Sequence, residues 1–269
     1  MKITEKIQAK KMVFGMVHVG ALPGTPRYQG NLQKVIQTAV QEAKLYQEAG
    51  LDGLILENMH DLPYLKRQVG PEITTAMTAV AVAVRKAVEF PIGIQILAGA
   101  NKQALAVALA ADLQFVRCEG FVFAHVADEG LMQSDAGQLL RYRKLLEAED
   151  IAIFTDIKKK HSAHNITSDV SLAETAKAAE FFLTDGVIIS GSSTGKAVDS
   201  KELATLTQIS VPIILGSGLT AQNISQYWNL AQGFIVGSYF KKDGFWQNEI
   251  DKQRLQKFMK QAEKLQTNT

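Results

Sequence analysis

Two glycine–serine segments in the last third of the chain have the composition of an anion-binding site. The apolar run at 211–215 ends in Gly216-Ser217-Gly218, and the run Gly233–Val236 ends in Gly237-Ser238. Glycine lets the backbone turn sharply and lets several amide N–H groups approach one anion. The pattern therefore predicts that these residues hold a phosphate group, with tight turns that bind nothing as the alternative interpretation.

A third glycine-rich segment, 191–196, is predicted to form another wall of the same site. It contributes Gly191 and the hydroxyl groups of Ser193 and Thr194, with Lys196 as a further group that could reach the anion. The segment is not a nucleotide-binding P-loop, because the full G-x-x-x-x-G-K-[ST] spacing is missing.

Polar side chains at the ends of the first two predicted strands are candidates for acid–base chemistry. His18 can take or give a proton near neutral pH. Glu57 could act as a general base or a metal ligand, and Asn58 could hold a substrate hydroxyl. The structural alternatives are a packed histidine and an ion pair between Glu57 and Arg117.

Arg117 and Glu119 flank Cys118 at the end of the fourth predicted strand. Because side chains alternate along a strand, Arg117 and Glu119 must point to the same face. If that face is inward, the two charges need each other or a ligand to offset their lost hydration. Both are therefore candidates for catalysis, whereas Cys118 is predicted to be a small packed residue rather than a nucleophile.

The end of the fifth predicted strand combines an acid with an amine. Asp156 and Lys158 are two residues apart and share a face, where the lysine could donate a proton or form an imine. The spacing resembles the Asp-x-Lys-x-x-Asp pattern of the orotidine-phosphate decarboxylase superfamily, but His161, a further catalytic candidate, replaces the second aspartate. The alternatives are a solvated basic loop over 158–160 and a divalent metal held by Asp156, His161 and His164.

Eight apolar runs alternate with helical patterns along the chain, which predicts an α/β fold, a (β/α)8 barrel. The predicted strands are 12–19, 53–56, 92–97, 113–117, 151–156, 186–189, 211–215 and 233–236, and the segment 118–134 is predicted to be irregular. Connections from helix to strand are short and those from strand to helix are long, which is typical of barrels that function beyond the C-terminal ends of their strands. An open doubly wound sheet has the same alternation, but no G-x-G-x-x-G follows the first strand.

The composition is that of one globular domain, predicted to span 1–269. The length of 269 residues suits one barrel, and 46% hydrophobic and 21% charged residues are ordinary values. A net charge of +2 gives no indication of nucleic-acid binding, and one cysteine excludes an intrachain disulfide framework. No signal peptide or membrane-spanning run is recognised, so the predicted location is the cytoplasm and membrane association is not expected.

Several motifs resemble, in order, those of the BtpA/SgcQ family. They lie at 15–26, at 52–58 with Asp61 and Pro63, and at 156–161, 190–195, 215–218 and 235–238. The resemblance covers nearly the whole chain and implies a TIM barrel of the ribulose-phosphate-binding kind, without a settled reaction. The family name comes from a protein linked to accumulation of photosystem I, whereas relatives near sugar-utilisation genes indicate carbohydrate metabolism.

Two segments depart from the family pattern where a substrate would sit. At 95–101 the family usually carries a basic, asparagine-containing segment, whereas this chain reads Gln-Ile-Leu-Ala-Gly-Ala-Asn. After the fourth strand the family tends to have Arg-Val-Asn, whereas this chain has Arg117-Cys118-Glu119. These differences predict a ligand other than that of the named members.

The combined prediction is an enzyme that binds a small phosphorylated metabolite, a sugar or ribose phosphate, and moves a proton as an isomerase or lyase does. A phosphate anchor on the last two loops would supply binding energy far from the reacting end. Two alternatives remain: a non-catalytic factor that helps to assemble a membrane complex of the photosystem type, and a hydrolase of nucleosides or nucleotides. A homo-oligomer and a divalent metal are left open, and no other cofactor is predicted.

Overall fold

Eight parallel strands close into a barrel in the computed structural model, which describes residues 1–191 and 198–267. The strands are β1 (Met12–His18), β2 (Gly53–Glu57), β3 (Ile92–Gln95), β4 (Phe115–Cys118), β5 (Ala124–Ala127), β6 (Gly130–Gln133), β7 (Ala152–Ile157), β8 (Ser162–Ala163), β9 (Gly186–Ile189), β10 (Ile213–Leu215) and β11 (Gly233–Val236). The barrel runs β1-β2-β3-β4-β7-β9-β10-β11, and β11 pairs with β1 to close it. The predicted (β/α)8 barrel is confirmed.

The helices between the strands begin and end where the sequence provides caps. They are α1 (Ile3–Ala9), α2 (Leu32–Glu48), α3 (Pro71–Ala87), α4 (Asn101–Ala110), α5 (Ala136–Leu145), α6 (Leu172–Phe181), α7 (Ser200–Leu203), α8 (Ile224–Tyr227) and α9 (Lys252–Thr267). The side chain of Asn31 accepts the N–H of Lys34 at 2.9 Å and caps α2. Pro71 is the first residue of α3, where its missing N–H costs no hydrogen bond.

Alternate side chains of the barrel strands point into the barrel and form layers. In β1, Met12, Phe14 and Met16 belong to the interior cluster, and the next inward residue is His18, which lines the cavity described below. Large rings fill the interior closely, since a Cβ added to Gly93 would lie 2.1 Å from the ring of Phe115. The period of two therefore brings the polar residues at the strand ends to one mouth of the barrel.

The opposite mouth is closed by α1, which the polar N-terminal sequence did not predict. Ile3 and Ile7 of this helix are buried and belong to the same interior cluster as the inward residues of the strands. At the other terminus, α9 buries Leu255, Phe258 and Met259 against the outside of the barrel. Within 1–191 and 198–267, no helix is both long and apolar enough to cross a membrane.

The prediction that 118–134 is irregular was wrong, because this segment contains the antiparallel hairpin of β5 and β6. The short strand β8 adds to β5 from more than 30 residues further along the chain. The guanidinium group of Arg67 holds the base of the hairpin by donating to Asp135 Oδ2 at 2.7 Å, to the carbonyls of Gly120 and Glu119 at 2.7 and 3.1 Å, and to the carbonyl of Gln133. These partners are distant in sequence, so the local pattern could not indicate them.

Candidate functional site

A cavity of about 340 Å³ lies at the C-terminal ends of the barrel strands. The inward residues that follow the apolar interior line it: His18 from β1, Glu57 from β2, Arg117 from β4 and Asp156 from β7. Loops add the remaining walls, including Gly216 to Thr220, Gly237 to Tyr239, and Asp128 and Glu129 at the tip of the hairpin. The structure thus brings together most of the polar residues that the sequence singled out.

Arg117 and Asp156 form a buried ion pair with two hydrogen bonds. Arg117 Nε donates to Asp156 Oδ2 at 2.7 Å, and its Nη2 donates to Oδ1 at 2.8 Å. The alternative pairing of Arg117 with Glu57, considered from the sequence, is not the one adopted. Such a two-point contact fixes both side chains, so the arginine presents a positive charge at a set position on the cavity wall.

Glu119 lies beside this pair and is only partly satisfied. Its Oε1 accepts from Lys159 Nζ at 3.0 Å and from Gln95 Nε2 at 3.1 Å. Its Oε2 is buried without a hydrogen-bond partner in the described part of the chain. Between Arg117 and Glu119, Cys118 is packed in the core, where burial raises the pKa of its thiol.

His18 is held as a neutral ring. Its side chain is 5% exposed, and burial, with a smaller contribution from Lys241, lowers its pKa to about 3. Nδ1 lies 3.1 Å from the carbonyl oxygen of Trp246, so this nitrogen carries the proton in the neutral ring. The lone pair is then on Nε2, which lies 3.9 Å from Glu57 Oε2 and can accept a hydrogen bond from a ligand.

The low pKa of His18 predicts a particular dependence of stability on pH. Between pH 6.5 and about 3 the unfolded chain binds a proton on His18 that the folded chain does not, so stability falls as the pH decreases through this window. The contribution is about 1.4 kcal/mol per pH unit below the unfolded pKa. Urea unfolding at about pH 7 and pH 5 should show a loss in the wild type that is about 2 kcal/mol larger than in His18→Gln.

Other titrating groups contribute equally to both proteins, so the difference between them isolates His18. If the free energy of unfolding changed equally with pH in the wild type and in His18→Gln, the buried neutral ring would be contradicted. The glutamine is the matched variant because its amide can still donate to the carbonyl of Trp246.

Glu57 is a buried carboxyl whose surroundings favour the protonated form. Burial raises its pKa, and the nearby charges of Arg117 and Lys160 offset part of that rise. A carboxyl group whose pKa is raised by burial holds a proton more readily than a solvated one, which suits it to acid–base chemistry in a cavity.

Two of the predicted catalytic residues do not line the cavity. Asn58 is buried on the other side of β2, where its Oδ1 accepts the N–H of Leu97 at 2.7 Å and its Nδ2 donates to Asp61 at 2.8 Å. The amine of Lys158 donates to the carbonyl of Thr167 at 3.0 Å, away from the cavity. Lys158 has a φ of 47°, so the strand alternation ends before it and it does not share a face with Asp156.

The glycine–serine segments after β10 and β11 lie together on one wall. Gly216, Ser217, Gly218, Gly237 and Ser238 all line the cavity. The backbone N–H groups of Gly218, Leu219, Gly237 and Ser238 donate to none of the residues in 1–191 and 198–267. Gly191 is buried away from the cavity lining, and Ser193 and Thr194 lie outside the described residues.

Comparison with known proteins shows the family of this chain. The BtpA family profile matches residues 9–264. This chain belongs to the BtpA family. An uncharacterised mitochondrial protein of Caenorhabditis elegans is 48% identical over 263 residues, which is 96% of this chain and 95% of that protein. The photosystem I biogenesis protein BtpA of Synechocystis sp. is 36% identical over 261 residues, covering 96% of this chain and 90% of that protein.

A solved structure has the same fold with a different sequence. The (S)-3-O-geranylgeranylglyceryl phosphate synthase from Thermoplasma acidophilum, in complex with its substrate sn-glycerol-1-phosphate, aligns with a TM-score of 0.63 and 15% identity. The alignment covers 98% of this chain and 99% of the synthase. At 15% identity the likeness shows only that the two proteins have the same fold.

Part of the BtpA-family motif at 52–61 stabilises the loops rather than facing the cavity. Asp52 Oδ2 accepts the N–H of Val13 at 2.9 Å, which joins the N-terminal ends of β1 and β2 away from the mouth. Asp61 accepts the N–H of Leu22 at 2.8 Å and the amide of Asn58. Asn58 and Asp61 therefore join the loops that follow β1, β2 and β3, which supports the part of the mouth where His18 and Glu57 lie.

The structure does not bring together Asp156, His161 and His164, the three metal ligands considered from the sequence. His161 lines the cavity, whereas His164 lies beside a separate small cavity, with its ring 5.5 Å from that of His125. Among residues 1–191 and 198–267, no three His, Cys, Asp or Glu side chains are grouped to hold a metal ion.

The structure adds cavity residues that the sequence did not indicate. Lys160 belongs to a lysine run that resembles a solvated loop, and Trp246 and Arg254 lie in a segment without a motif. Arg254 Nε donates to the carbonyl of Tyr239 at 2.7 Å, and its guanidinium lies 4.6 Å from the centre of the Tyr239 ring. Their position in the sequence could have indicated Trp246 and Arg254, because both follow Gly237-Ser238 and these two residues lie at the mouth of the barrel.

Proposed function

We propose that this protein binds a small phosphorylated metabolite and moves a proton on it, as an isomerase or lyase does. The phosphate would rest on the backbone N–H groups of Gly218, Leu219, Gly237 and Ser238. The observation that supports the proposal is that these amides, which donate to no residue in 1–191 and 198–267, line the same cavity as the ionisable side chains His18, Glu57 and Arg117.

The phosphate end of the cavity has the charge that a dianion needs. Peptide N–H groups are strong donors, and a group of them without protein acceptors is a ready site for phosphate oxygens. Arg254 adds a cation beside Gly237–Tyr239, in contact with the ring and carbonyl of Tyr239. Arginine donates to phosphate in charge-assisted hydrogen bonds, which supports the same assignment.

The same cavity holds the groups that proton transfer requires, and His18 lies directly beside the proposed phosphate cradle, since a Cβ at Gly237 would be 3.4 Å from its Nε2. Glu57 has a raised pKa, so it can hold a proton and release it within one reaction cycle. The Nε2 atom of the neutral His18 can accept a hydrogen bond from a substrate hydroxyl. Arg117, fixed by Asp156, can stabilise negative charge that develops on a carbonyl oxygen when a neighbouring carbon loses its proton.

The size of the cavity limits the substrate. A volume of about 340 Å³ is near the lower end of the range for ligand pockets, about 300–1,000 Å³. The cavity therefore suits a small sugar phosphate better than a dinucleotide. We propose the cytoplasm as the compartment of this protein.

Thermal unfolding with a panel of ligands tests the proposal. The panel contains triose, pentose and hexose phosphates, their dephosphorylated partners and inorganic phosphate. A ligand at about 100 times its dissociation constant should stabilise the fold by about 2.7 kcal/mol, and the unphosphorylated partner should not. Equal behaviour of the phosphorylated and unphosphorylated compounds would exclude the phosphate site.

The second candidate is a factor in the assembly of a membrane complex, the role that the name of the Synechocystis relative gives to that protein. An assembly role needs a protein partner rather than a phosphate compound. If no compound in the panel stabilises the protein, the assembly role would therefore be favoured over the enzyme.

A further inference from the structure

The three consecutive lysines after β7 have different surroundings. Lys158 donates to the carbonyl of Thr167, and Lys159 Nζ is paired with Glu119 Oε1 at 3.0 Å. The side chain of Lys160 lines the 340 Å³ cavity, and its amine makes no hydrogen bond or ion pair with residues 1–191 and 198–267. The amine that faces the proposed substrate is thus the one without a protein partner in that part of the chain.

The backbone holds Lys160 in this position. Lys158 and His161, on either side, have φ values of 47° and 54°, so the chain turns into the left-handed region before and after it. The N–H of Lys160 donates to Ser190 Oγ at 3.3 Å, which ties the loop to the end of β9. The main chain is therefore anchored while the amine stays available.

We propose that Lys160 is a nucleophile that forms an imine with the carbonyl carbon of a phosphorylated aldehyde or ketone. This inference rests on the phosphate site proposed above and assigns its substrate class. An amine that only bound an anion would also face the cavity, so the two roles must be distinguished by covalent chemistry.

The electrostatic surroundings suit a reactive amine. Burial, followed by the charge of Arg117, lowers the pKa of Lys160, and Glu57, Asp156 and Glu119 offset part of this effect. A lower pKa increases the share of neutral amine, which is the form that attacks a carbonyl. The carboxyl of Glu57 lies close enough for its charge to act on Lys160 and has a raised pKa, so it can supply a proton.

Imine formation releases one molecule of water, and hydrolysis later consumes one. The lone pair of Lys160 Nζ forms a bond to the carbonyl carbon, and the π electrons of the C=O bond move to oxygen. A proton passes from nitrogen to that oxygen to give the carbinolamine. A second proton, from Glu57, lets the hydroxyl leave as water while the C=N bond forms. The iminium draws electrons from the adjacent carbon, which assists loss of its proton to the Glu57 carboxylate, and hydrolysis returns the free amine.

Reductive trapping tests the proposal on the full chain. The protein is incubated with sodium cyanoborohydride and glyceraldehyde 3-phosphate, dihydroxyacetone phosphate or ribose 5-phosphate, and the adducts are located by peptide mass spectrometry. We expect at least about tenfold more adduct at Lys160 than at any other lysine, because a neutral, positioned amine reacts faster than a solvated ammonium group. Excess inorganic phosphate should reduce that adduct.

Two variants complete the test. Lys160→Arg keeps the positive charge and should lose the trapped adduct, whereas Lys158→Arg, in the same loop but outside the cavity, should keep it. Adducts spread evenly over surface lysines, or none at Lys160, would overturn the imine. If phosphate compounds still stabilise the wild type in that case, the proposed phosphate site stands and the nucleophile is rejected. If neither stabilisation nor trapping is seen, both proposals fail.

Discussion

Replacing Arg117 with methionine is expected to lower the free energy of unfolding by about 3–5 kcal/mol. The Arg117 side chain is 7% exposed and that of Asp156 is 1% exposed, so the two charges are removed from water together. Without the guanidinium, Asp156 is left as a buried carboxylate that has lost both of its charge-assisted hydrogen bonds. The cost of desolvating that charge is then no longer offset. Denaturant unfolding at neutral pH measures the loss.

The double variant Arg117→Met with Asp156→Leu is the control for this prediction. It removes both charges from the barrel mouth and should recover most of the lost stability, because apolar residues of similar size often replace a buried ion pair at little cost. A double variant as unstable as Arg117→Met would mean that packing, rather than the unpaired charge, caused the loss. A loss below about 1 kcal/mol in Arg117→Met would mean that another cation pairs with Asp156; Lys159 and Lys160 are the candidates, since the charge of Asp156 acts on both.

Replacing Gly237 with alanine is expected to weaken the binding of phosphate compounds by about 10- to 100-fold. A Cβ at this position would lie 3.4 Å from His18 Nε2 and from Met16 Cγ, so it fits in the unliganded protein but occupies the space beside the proposed cradle. Alanine keeps the backbone N–H, but a methyl group that displaces the phosphate from one such donor would cost one charge-assisted hydrogen bond, about 1.5–3 kcal/mol, which corresponds to that range of affinity. Titration followed by calorimetry, with the ligand found in the thermal panel, gives the affinities.

Gly137→Ala is the matched control, because Gly137 lies in α5 and the added methyl group would approach only the flexible end of Arg141. Its stability should stay equal or rise by up to about 1 kcal/mol, and ligand affinity should not change. Gly218→Ala is unsuitable, since a φ of 70° would strain the backbone whatever the ligand does. Unchanged affinity in Gly237→Ala would place the phosphate elsewhere in the cavity.

Much of the fold was determined by the sequence because its signals are local. Apolar runs that alternate with helical patterns specify parallel strands and their covering helices, and the period of two places Arg117 and Glu119 on one face. Gly216-Ser217-Gly218 and Gly237-Ser238 follow adjacent strands, so their location at one mouth follows from the barrel itself.

The tertiary structure decided which of the polar groups meet. The alternation of side chains ends where β7 ends. A positive φ at Lys158 turns its amine towards the carbonyl of Thr167, and Lys160 lines the cavity instead. The period of two in the sequence does not indicate this turn. Arg117 pairs with Asp156 rather than Glu57, a choice that the sequence left open because closure of the barrel sets the distances between strands. Trp246 and Arg254 reach the site from beyond the last strand, since folding brings together residues that have no relation in sequence. Where a strand forms depends on residues that are neighbours along the chain. Which charges pair depends on groups that are distant in sequence and that only the closed barrel brings together.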